Sequence, residues 1–205
     1  MQSWDKTWEK VFQSREWGKY PPEELIRFIA KNFYKYQNRK AIRILDLGCG
    51  TGACTWYIAR EGFSAYGIDG SKTAVEKAKQ RFSEENLDGE FVVGDFIKIP
   101  YPDEFFDCVI DVCSLQHNKP KFAMMALSEV FRVLKPNGKV FSMLVASGSW
   151  LNPYLEEGYV HFYKLYEVKK LFKKFKNVNI EKSIRTYNNR KNRIIHWVVS
   201  GDKVI

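Results

Sequence analysis

The sequence predicts an α/β protein whose core is a parallel, doubly wound β-sheet. From residue 41 onward, short apolar runs alternate with segments of helical periodicity, which is typical of repeated β-α units. The apolar runs are nearly continuous, as in strands that are covered by helices on both faces. Because β-α-β crossovers are almost always right-handed, such units place helices on both sides of one sheet.

Five strands and three helices are predicted between residues 42 and 144. The strands are predicted at residues 42–47, 64–69, 90–94, 105–112 and 139–144, with a turn at 136–138 before the last. The helices are predicted at residues 53–61, 71–85 and 121–134. Ser71 is a suitable N-cap for the second of these helices.

The two ends of the chain differ from this alternating core. Trp4, Trp8 and Phe12 are spaced four residues apart and therefore share one face of a predicted N-terminal helix, which is followed by a second helix at 23–33. After the core, a basic helix is predicted at 166–175 and a β-hairpin at 178–184 and 194–200. We expect one domain over residues 1–205, with N-terminal helices at 1–40, a cofactor-binding core at 41–144 and a substrate-side remainder at 145–205.

Composition and charge favour a globular protein that carries one basic segment. The chain has 205 residues and a formal net charge of +9. Acidic and basic residues balance over 1–160, whereas 161–205 holds 12 basic and 3 acidic residues. A globally basic nucleic-acid binder is therefore disfavoured. No apolar run approaches the length of a membrane span and no signal peptide is visible, so we expect a cytoplasmic protein with no membrane partner.

Three alternate glycines follow the first strand in the segment Asp46-Leu47-Gly48-Cys49-Gly50-Thr51-Gly52. Glycines let the backbone approach a ligand closely, and the helix that follows offers free N–H groups. Asp69, at the end of the second strand, can accept hydrogen bonds from a ribose diol. These features predict a nucleoside site at the carboxyl edge of the sheet.

The glycines alone do not identify the nucleoside, since the spacing of Gly48, Gly50 and Ala53 also fits a dinucleotide site. Asp46 favours a ligand with an ammonium group, because a carboxylate there would face a pyrophosphate unfavourably. After the third strand, Asp95 can accept from an adenine amine and Phe96 can lie along the ring. The four cysteines form two C-x4-C pairs without zinc-site spacing, and no metal site is predicted.

The motifs ILDLGCGTG, GIDGS, GDF, FFDCVIDVCSLQHN and LKPNGKV, in this order, resemble the class I S-adenosylmethionine-dependent methyltransferase family of the type 11 kind. The resemblance implies a Rossmann-like seven-stranded sheet with an antiparallel last strand, and S-adenosyl-L-methionine as cofactor. It places the cofactor over Gly48, Gly50 and Gly52. Within it, Asp46 would face the methionine end, Asp69 with Gly70 the ribose, Asp95 with Phe96 the adenine, and Val112 the sulfonium side.

The first 40 residues resemble the family only loosely. The segment Trp17-Gly18-Lys19-Tyr20-Pro21 is similar to a turn that in related small-molecule methyltransferases precedes a lid over the cofactor. This resemblance makes Trp17 a candidate cofactor contact. The alternative is that the N-terminal aromatic residues only pack a helix onto the sheet.

Two residues are candidates for a general base. His117 follows the fourth strand at the predicted substrate edge, and its ordinary pKa is near neutrality. Asp111 is the second candidate. A packing role for His117 and a structural pairing for Asp111 remain open, while His161 and His196 are not expected to be catalytic.

The predicted function is methyl transfer from S-adenosylmethionine to nitrogen or oxygen of a small molecule. The aromatic loop at 145–163 is predicted either to wall the acceptor pocket or to close the edge of the core. The basic segment leaves open an RNA- or ribosome-associated methyltransferase, although a solvated surface is the favoured explanation of its lysines. The sequence is also compatible with a catalytically silent cofactor-binding module and, more distantly, with a dinucleotide-dependent oxidoreductase. The oligomeric state and the acceptor are not predicted.

Overall fold

The computed structural model of the chain describes residues 3–150 and 158–204, which contain one seven-stranded sheet. The strands are β1 (Arg43–Leu47), β2 (Ser64–Asp69), β3 (Glu90–Val93), β4 (Phe106–Val112), β5 (Leu134–Val145), β6 (Lys176–Tyr187) and β7 (Asn192–Asp202). Their spatial order is β3-β2-β1-β4-β5-β7-β6. Strands β1 to β5 are parallel, while β7 pairs antiparallel with both β5 and β6. The predicted doubly wound sheet with an antiparallel last strand is confirmed.

Helices cover both faces of this sheet. They are α1 (Thr7–Ser14), α2 (Glu23–Phe33), α3 (Ala53–Arg60), α4 (Lys72–Glu84), α5 (Pro120–Val133) and α6 (Leu165–Leu171). Helices α2 and α3 bury Ile29 and Ile58 against one face, and α5 and α6 bury Leu127 and Val168 against the other. None of the helices in the described part of the chain is long and apolar enough to cross a membrane.

Local sequence signals account for several helix ends. The side chain of Ser71 accepts a hydrogen bond from the amide of Ala74 at 3.1 Å, as predicted for the N-cap of α4. Helix α5 begins at Pro120, where a missing backbone N–H costs no intrahelical hydrogen bond. Helix α2 spans the predicted residues because Pro22 stands in the extended conformation immediately before it.

The structure corrects three local predictions. Helix α1 begins at Thr7, so Trp4 precedes it, and only Trp8 and Phe12 share its face, with ring centroids 6.0 Å apart. Strand β5 begins at Leu134 rather than at residue 139, so the predicted turn at 136–138 lies within it as an irregularity, where Asn137 has a positive φ and the pairing with β4 shifts register. The basic helix α6 ends at Leu171, four residues before its predicted end.

The sheet topology places three strand ends beside one another. Strand β1 lies between β2 and β4, with Leu47 opposite Ile68 on one side and Asp111 on the other. The order of the strands reverses there, which opens a crevice at the carboxyl edge of the sheet. Strand β7 runs antiparallel, so its first residues reach the same edge, with His196 opposite Val145.

Candidate active site

A cavity of about 380 Å³ lies at this carboxyl edge. Its walls come from the ends of β1, β2, β4, β5 and β7 and from the N-terminal segment. The described residues that line it are Trp4, Asp5, Trp8, Phe12, Trp17, Gly18, Tyr20, Pro22, Asp46, Gly48, Cys49, Gly50, Ala53, Cys54, Asp69, Gly70, Phe96, Val112, Cys113, Ser114, Gln116, His117, Asn118, Val145, Ile194 and His196. A crevice at a strand-order reversal is the usual position of a ligand site in an open α/β sheet.

The glycine loop forms the floor of the cavity. Gly48 and Gly50 line it, and both have positive φ, at +68° and +52°. Gly52 also has a positive φ, but it stands before α3 and packs against Ala78 of α4 rather than lining the cavity. The structure therefore brings two of the three predicted glycines to the cavity wall.

Gly48 is the position where a side chain would disturb this floor most. A Cβ atom at Gly48 would overlap the side chain of Ser114, and the positive φ is unfavourable for alanine. We expect Gly48→Ala to lower the free energy of unfolding by about 1–2 kcal/mol. Chemical denaturation monitored by circular dichroism measures this loss. Gly18→Ala is the control, because a Cβ there meets nothing within 4 Å. Equal losses of unfolding free energy in both variants would show that the overlap with Ser114 does not destabilise Gly48→Ala.

Asp69 connects the glycine loop to the start of α4. Its carboxylate accepts hydrogen bonds from the amides of Gly50 and Ser71, each at 2.8 Å. Burial, and to a smaller extent the charge of Glu9, raises the pKa of Asp69. The carboxylate lines the cavity beside Gly70, in the position expected for a contact with a ribose diol.

Asp46 lies deeper, with a relative exposure of only 3%. One of its carboxylate oxygens, Oδ2, accepts from both the amide and the hydroxyl of Thr55, at 3.0 and 2.7 Å. Burial raises its pKa to about 7, and the charges of Asp111 and Asp69 act in the same direction. A cationic group in the cavity would therefore be stabilised by Asp46 and would favour its ionised form.

The cavity is acidic although the protein is basic overall. Three of its lining residues are aspartates, and among the described lining residues there is no lysine or arginine. The pKa of Asp5 is lowered, first by the hydrogen bond from the amide of Thr7, so this carboxylate is charged at neutral pH. Burial lowers the pKa of both lining histidines, His117 and His196, which are therefore neutral there.

Phe96 lines the cavity as predicted, but Asp95 does not. The amide of Ser3 donates to Asp95 Oδ2 at 2.6 Å, and the Ser3 hydroxyl donates to Oδ1. In this conformation the N-terminal segment thus occupies the carboxylate that was predicted to accept from adenine.

The N-terminal segment covers the cavity and also packs on the sheet. Trp4 lies directly on Gly70, so that a Cβ there would overlap its ring. Glu9 accepts from the hydroxyls of Ser71 and Thr73, at 2.6 and 2.5 Å, which fixes α1 to the start of α4. Trp8 and Trp17 line the cavity with Phe12, so the segment is at once a cover and a packed helix.

Beyond β4, the two candidate bases have different surroundings. Asp111 is 2% exposed and is not part of the cavity wall. Its Oδ1 accepts from the amides of Ser114 and Leu115, and its Oδ2 from the hydroxyl of Ser142 at 2.5 Å. Oδ1 thus holds the turn after β4 and Oδ2 connects β4 to β5, so the geometry does not support Asp111 as a base.

His117 lines the cavity and is held in one orientation. Its Nδ1 lies 3.1 Å from the carbonyl oxygen of Tyr159, which can only accept, so Nδ1 carries the proton. Trp8 packs edge-on against the imidazole, with ring centroids 4.5 Å apart. Burial lowers the pKa of His117 to about 4, against weaker opposing effects of the hydrogen bond to the Tyr159 carbonyl and of the Asp5 charge. A neutral imidazole with a lone pair on Nε2 is the form that a general base requires.

Strand β7 contributes to the wall, which the sequence did not lead us to expect. Ile194 and His196 line the cavity together with Val145 of β5 and with Gln116 and Asn118 from the segment after β4. The predicted antiparallel last strand could have indicated Ile194 and His196, because such a strand starts at the edge where the parallel strands end. His161, in contrast, hydrogen-bonds Glu167 at 2.9 Å and is not part of the wall.

The aromatic residues predicted at 145–163 do not form a cavity wall in the described part of the loop. Trp150, Tyr159, Phe162 and Tyr163 are all absent from the lining, and Tyr163 is fully buried. Tyr154 lies outside the described residues. The loop acts on the site through its backbone, by means of the Tyr159 carbonyl that holds His117.

The basic segment is divided between the two edges of the sheet. In the pairing of β6 with β7, Lys176 lies opposite Asp202, at the edge of the sheet remote from the cavity. Lys173 and Lys174 come just before Lys176 in the chain. At the cavity edge Arg185 of β6 lies opposite Ile194 of β7, and residues 188–191 form the hairpin turn beyond these residues. The turn of the basic hairpin therefore lies at the carboxyl edge of the sheet, but β4 and β5 stand between the hairpin and β1 with its glycine loop.

These features define a Rossmann-like protein with a nucleoside-type cofactor site. A family model described as a methyltransferase domain matches residues 44–138. The chain is 33% identical to a demethylmenaquinone methyltransferase of Lactobacillus johnsonii over 142 residues, which cover 66% of this chain and 57% of that protein. It is 39% identical to a fatty-acid O-methyltransferase of Mycolicibacterium smegmatis over 98 residues, which cover 47% and 34%. Residues 44–138 of the chain therefore match the methyltransferase family, and the fold and relatives place this part with the class I S-adenosylmethionine-dependent methyltransferases.

A solved structure supports the fold. A methyltransferase from Methanosarcina mazei superposes with a TM-score of 0.72 at 22% identity, covering 86% of this chain and 97% of that one. The alignments with the two curated relatives span about half of the first relative's length and a third of the second's, 57% and 34%.

The residues of the cavity fit the family's cofactor, S-adenosylmethionine. The ligand carries an ammonium, a sulfonium and one carboxylate, so its net charge is positive, and the cavity offers Asp46 and Asp69 without a competing basic side chain among its described lining residues. Gly48 and Gly50 leave room for close approach, and the carboxylate of Asp69 is available for the ribose. The rings of Trp8, Trp17 and Phe12 add faces that attract cations.

Proposed function

We propose that the protein transfers a methyl group from S-adenosylmethionine to nitrogen or oxygen of a small-molecule acceptor. The observation that carries the proposal is the acidic, aromatic cavity within a protein of net charge +9. A dinucleotide would bring a pyrophosphate close to Asp46, and a nucleic acid would bring phosphates to the same acidic wall. A cationic cofactor and a neutral or cationic acceptor suit these carboxylates better.

The chain's own residues would position the cofactor and the acceptor, exclude water and provide a base. When bound, the cofactor supplies a methyl group on a positively charged sulfur, and the reaction is an in-line displacement. With the cofactor bound, the lone pair of the acceptor atom would take the methyl group, and Nε2 of His117 would take the acceptor proton. The N-terminal segment, through Trp4 and Trp8, would keep water from the reacting groups.

Relatives of this chain act on acceptors of very different kinds. One is named for demethylmenaquinone, another for a fatty acid and a third, from Rauvolfia serpentina, for norajmaline. These names support a small acceptor and do not select one. The apolar part of the wall, with Val112, Val145 and Ile194, favours an acceptor that carries a hydrophobic body.

Calorimetry with S-adenosylmethionine and S-adenosylhomocysteine tests the proposal directly. We expect both to bind a folded sample, and NADH to show no saturable binding in a parallel titration. A screen of metabolite extracts with methyl-labelled cofactor then identifies the acceptor. If neither S-adenosyl ligand binds the folded protein, the proposal is wrong; if they bind and no extract is methylated, a catalytically silent module is favoured.

A further inference from the structure

The cavity has an apolar arm that lies beyond the expected cofactor contacts. Val112 at the end of β4, Val145 of β5 and Ile194 of β7 line this part of the wall. Asp69 stands at the end of β2, on the other side of β1, so a cofactor held there leaves the arm to the methyl acceptor. We call Val112, Val145 and Ile194, together with His196, the acceptor arm.

His196 brings an imidazole into the acceptor arm. Side chains alternate between the two faces of a strand, and Ile195 and Trp197 are buried in the core that α5 and α6 cover. His196 therefore points to the other face of the sheet, where Val145 lies opposite it in β5 and Ser183 in β6. The imidazole thus stands in a row between an aliphatic side chain and a serine.

Neither neighbour gives the imidazole a hydrogen bond. Val145 has no polar side chain, and the hydroxyl of Ser183 donates to the carboxylate of Glu24 at the start of α2. Within the described chain, neither ring nitrogen of His196 has a hydrogen-bond partner, and neither belongs to the unpartnered atoms that are closed off from the surface, such as the Tyr163 hydroxyl. Both nitrogens are therefore open to a molecule in the cavity.

The charge state of His196 limits what this arm can bind. Burial lowers its pKa, so the imidazole is neutral near pH 7 and carries one N–H donor and one lone pair. A hydroxyl group matches the ring with either nitrogen protonated, because a hydroxyl both donates and accepts. A carboxylate is disfavoured, because it would meet the charge of Glu24, which outweighs that of Arg185 at this ring, and the charge of Asp5 in the cavity wall.

Resting on the proposed function, we propose that His196 is a specificity-determining residue that binds a hydroxyl group on the apolar body of the methyl acceptor. The aliphatic side chains of the acceptor arm hold that body, and its hydroxyl forms a hydrogen bond with the imidazole. This hydroxyl is distinct from the reacting atom at His117, which comes from the segment after β4. Molecules of the same shape that lack the hydroxyl, or carry a carboxylate in its place, bind less tightly.

The test uses matched fragments, because the natural methyl acceptor is not identified. Phenol, toluene and benzoate share one ring and differ in the group that would meet His196. Each is titrated into the complex with S-adenosylhomocysteine and followed by NMR of the histidine rings, of which the chain has three. We expect phenol to shift the His196 resonances saturably, to leave those of His161 unchanged, and to bind about tenfold more tightly than benzoate.

Two substitutions at His196 separate hydroxyl binding from packing. His196→Phe keeps a ring and removes both nitrogens, so it should weaken phenol about tenfold and leave the affinities for toluene and S-adenosylhomocysteine within about threefold. His196→Gln keeps a donor and an acceptor and should retain phenol binding within about threefold. His161→Phe is the control and should leave all affinities unchanged, because His161 hydrogen-bonds Glu167 and does not line the cavity.

Several results would overturn the proposal. These are no binding of any fragment, equal affinities for phenol and benzoate, a phenol titration that shifts the His117 ring and not that of His196, or equal losses of phenol and toluene affinity in His196→Phe. A loss of S-adenosylhomocysteine binding in His196→Phe would also do so, because it would place His196 at the cofactor. Failure of S-adenosylhomocysteine to bind the unmodified protein would instead contradict the proposed function, and the same titrations on the protein alone would still test His196.

Discussion

Replacing Asp69 by asparagine is expected to weaken S-adenosylhomocysteine binding by about 100-fold or more. The carboxylate accepts from the amides of Gly50 and Ser71 and would also accept the ribose hydroxyls. An asparagine side chain has one acceptor oxygen, so one of the two amides loses its partner and a ribose hydroxyl meets an NH2 group. The charge-assisted hydrogen bond lost to one ribose hydroxyl, worth about 1.5–3 kcal/mol, and the weakening of the other when the charge is removed together account for a change of this size. Isothermal titration calorimetry measures it.

The matched control for this substitution is Asp107→Asn. Asp107 also accepts a backbone amide, that of Arg43 at 2.9 Å, and forms an ion pair with Lys135, but it lies at the opposite end of β4. The control should lose stability and retain cofactor affinity within about threefold. If in both variants the loss of affinity is proportional to the decrease in melting temperature, Asp69 acts on the fold rather than on the cofactor.

The parts of the fold that local sequence signals encode were predictable. The glycine loop, the apolar strands and the cap at Ser71 each depend on residues a few positions apart, and their order specifies a doubly wound sheet. Strand ends at one edge of a parallel sheet necessarily meet. The positions of Asp46, Gly48 and Asp69 in one cavity follow from this rule.

Contacts between distant segments were not predictable in this way. Ser3 occupies Asp95 across 92 residues, and Ser142 occupies Asp111 across 31, so two predicted site carboxylates are engaged by the protein itself. The reverse holds for His196, which lies in a predicted strand of the hairpin and was not expected at the site. It reaches the cavity only because β7 enters the sheet antiparallel beside β5.

Net charge and site charge are separate properties in this protein. The net charge of +9 arises in the last 45 residues, whereas the described cavity wall carries aspartates and neutral histidines. Lys173 and Lys174 lie near the far edge of the sheet, so their fields act on the surface there and are screened over the distance to the cavity. A cationic cofactor can therefore bind a basic protein without meeting a lysine in its site.

The largest expected effect on turnover is that of His117→Ala. If His117 Nε2 removes the acceptor proton, its loss should lower kcat about 10²- to 10⁴-fold, while cofactor affinity changes little. His161→Ala is the control, because this histidine hydrogen-bonds Glu167 and does not line the cavity. Steady-state kinetics with the identified acceptor measures both. Equal kcat values for the wild type and His117→Ala would leave His117 with a packing role against Trp8.

The pH dependence gives an independent check on His117. Burial lowers its pKa to about 4 in the folded chain, against 6.5 for the free side chain, so the imidazole remains a base throughout the neutral range. The ratio of wild-type to His117→Ala turnover should therefore stay constant from about pH 5 to pH 8. Between these two pKa values the unfolded chain binds more protons than the folded one, so His117 lowers the free energy of unfolding as the pH falls from 6.5 toward 4. His117→Ala should remove that part of the acid lability. An NMR titration in which the His117 ring becomes protonated near its ordinary pKa of 6.5 would contradict both expectations, because such a ring would be neither buried as described nor held as a neutral base.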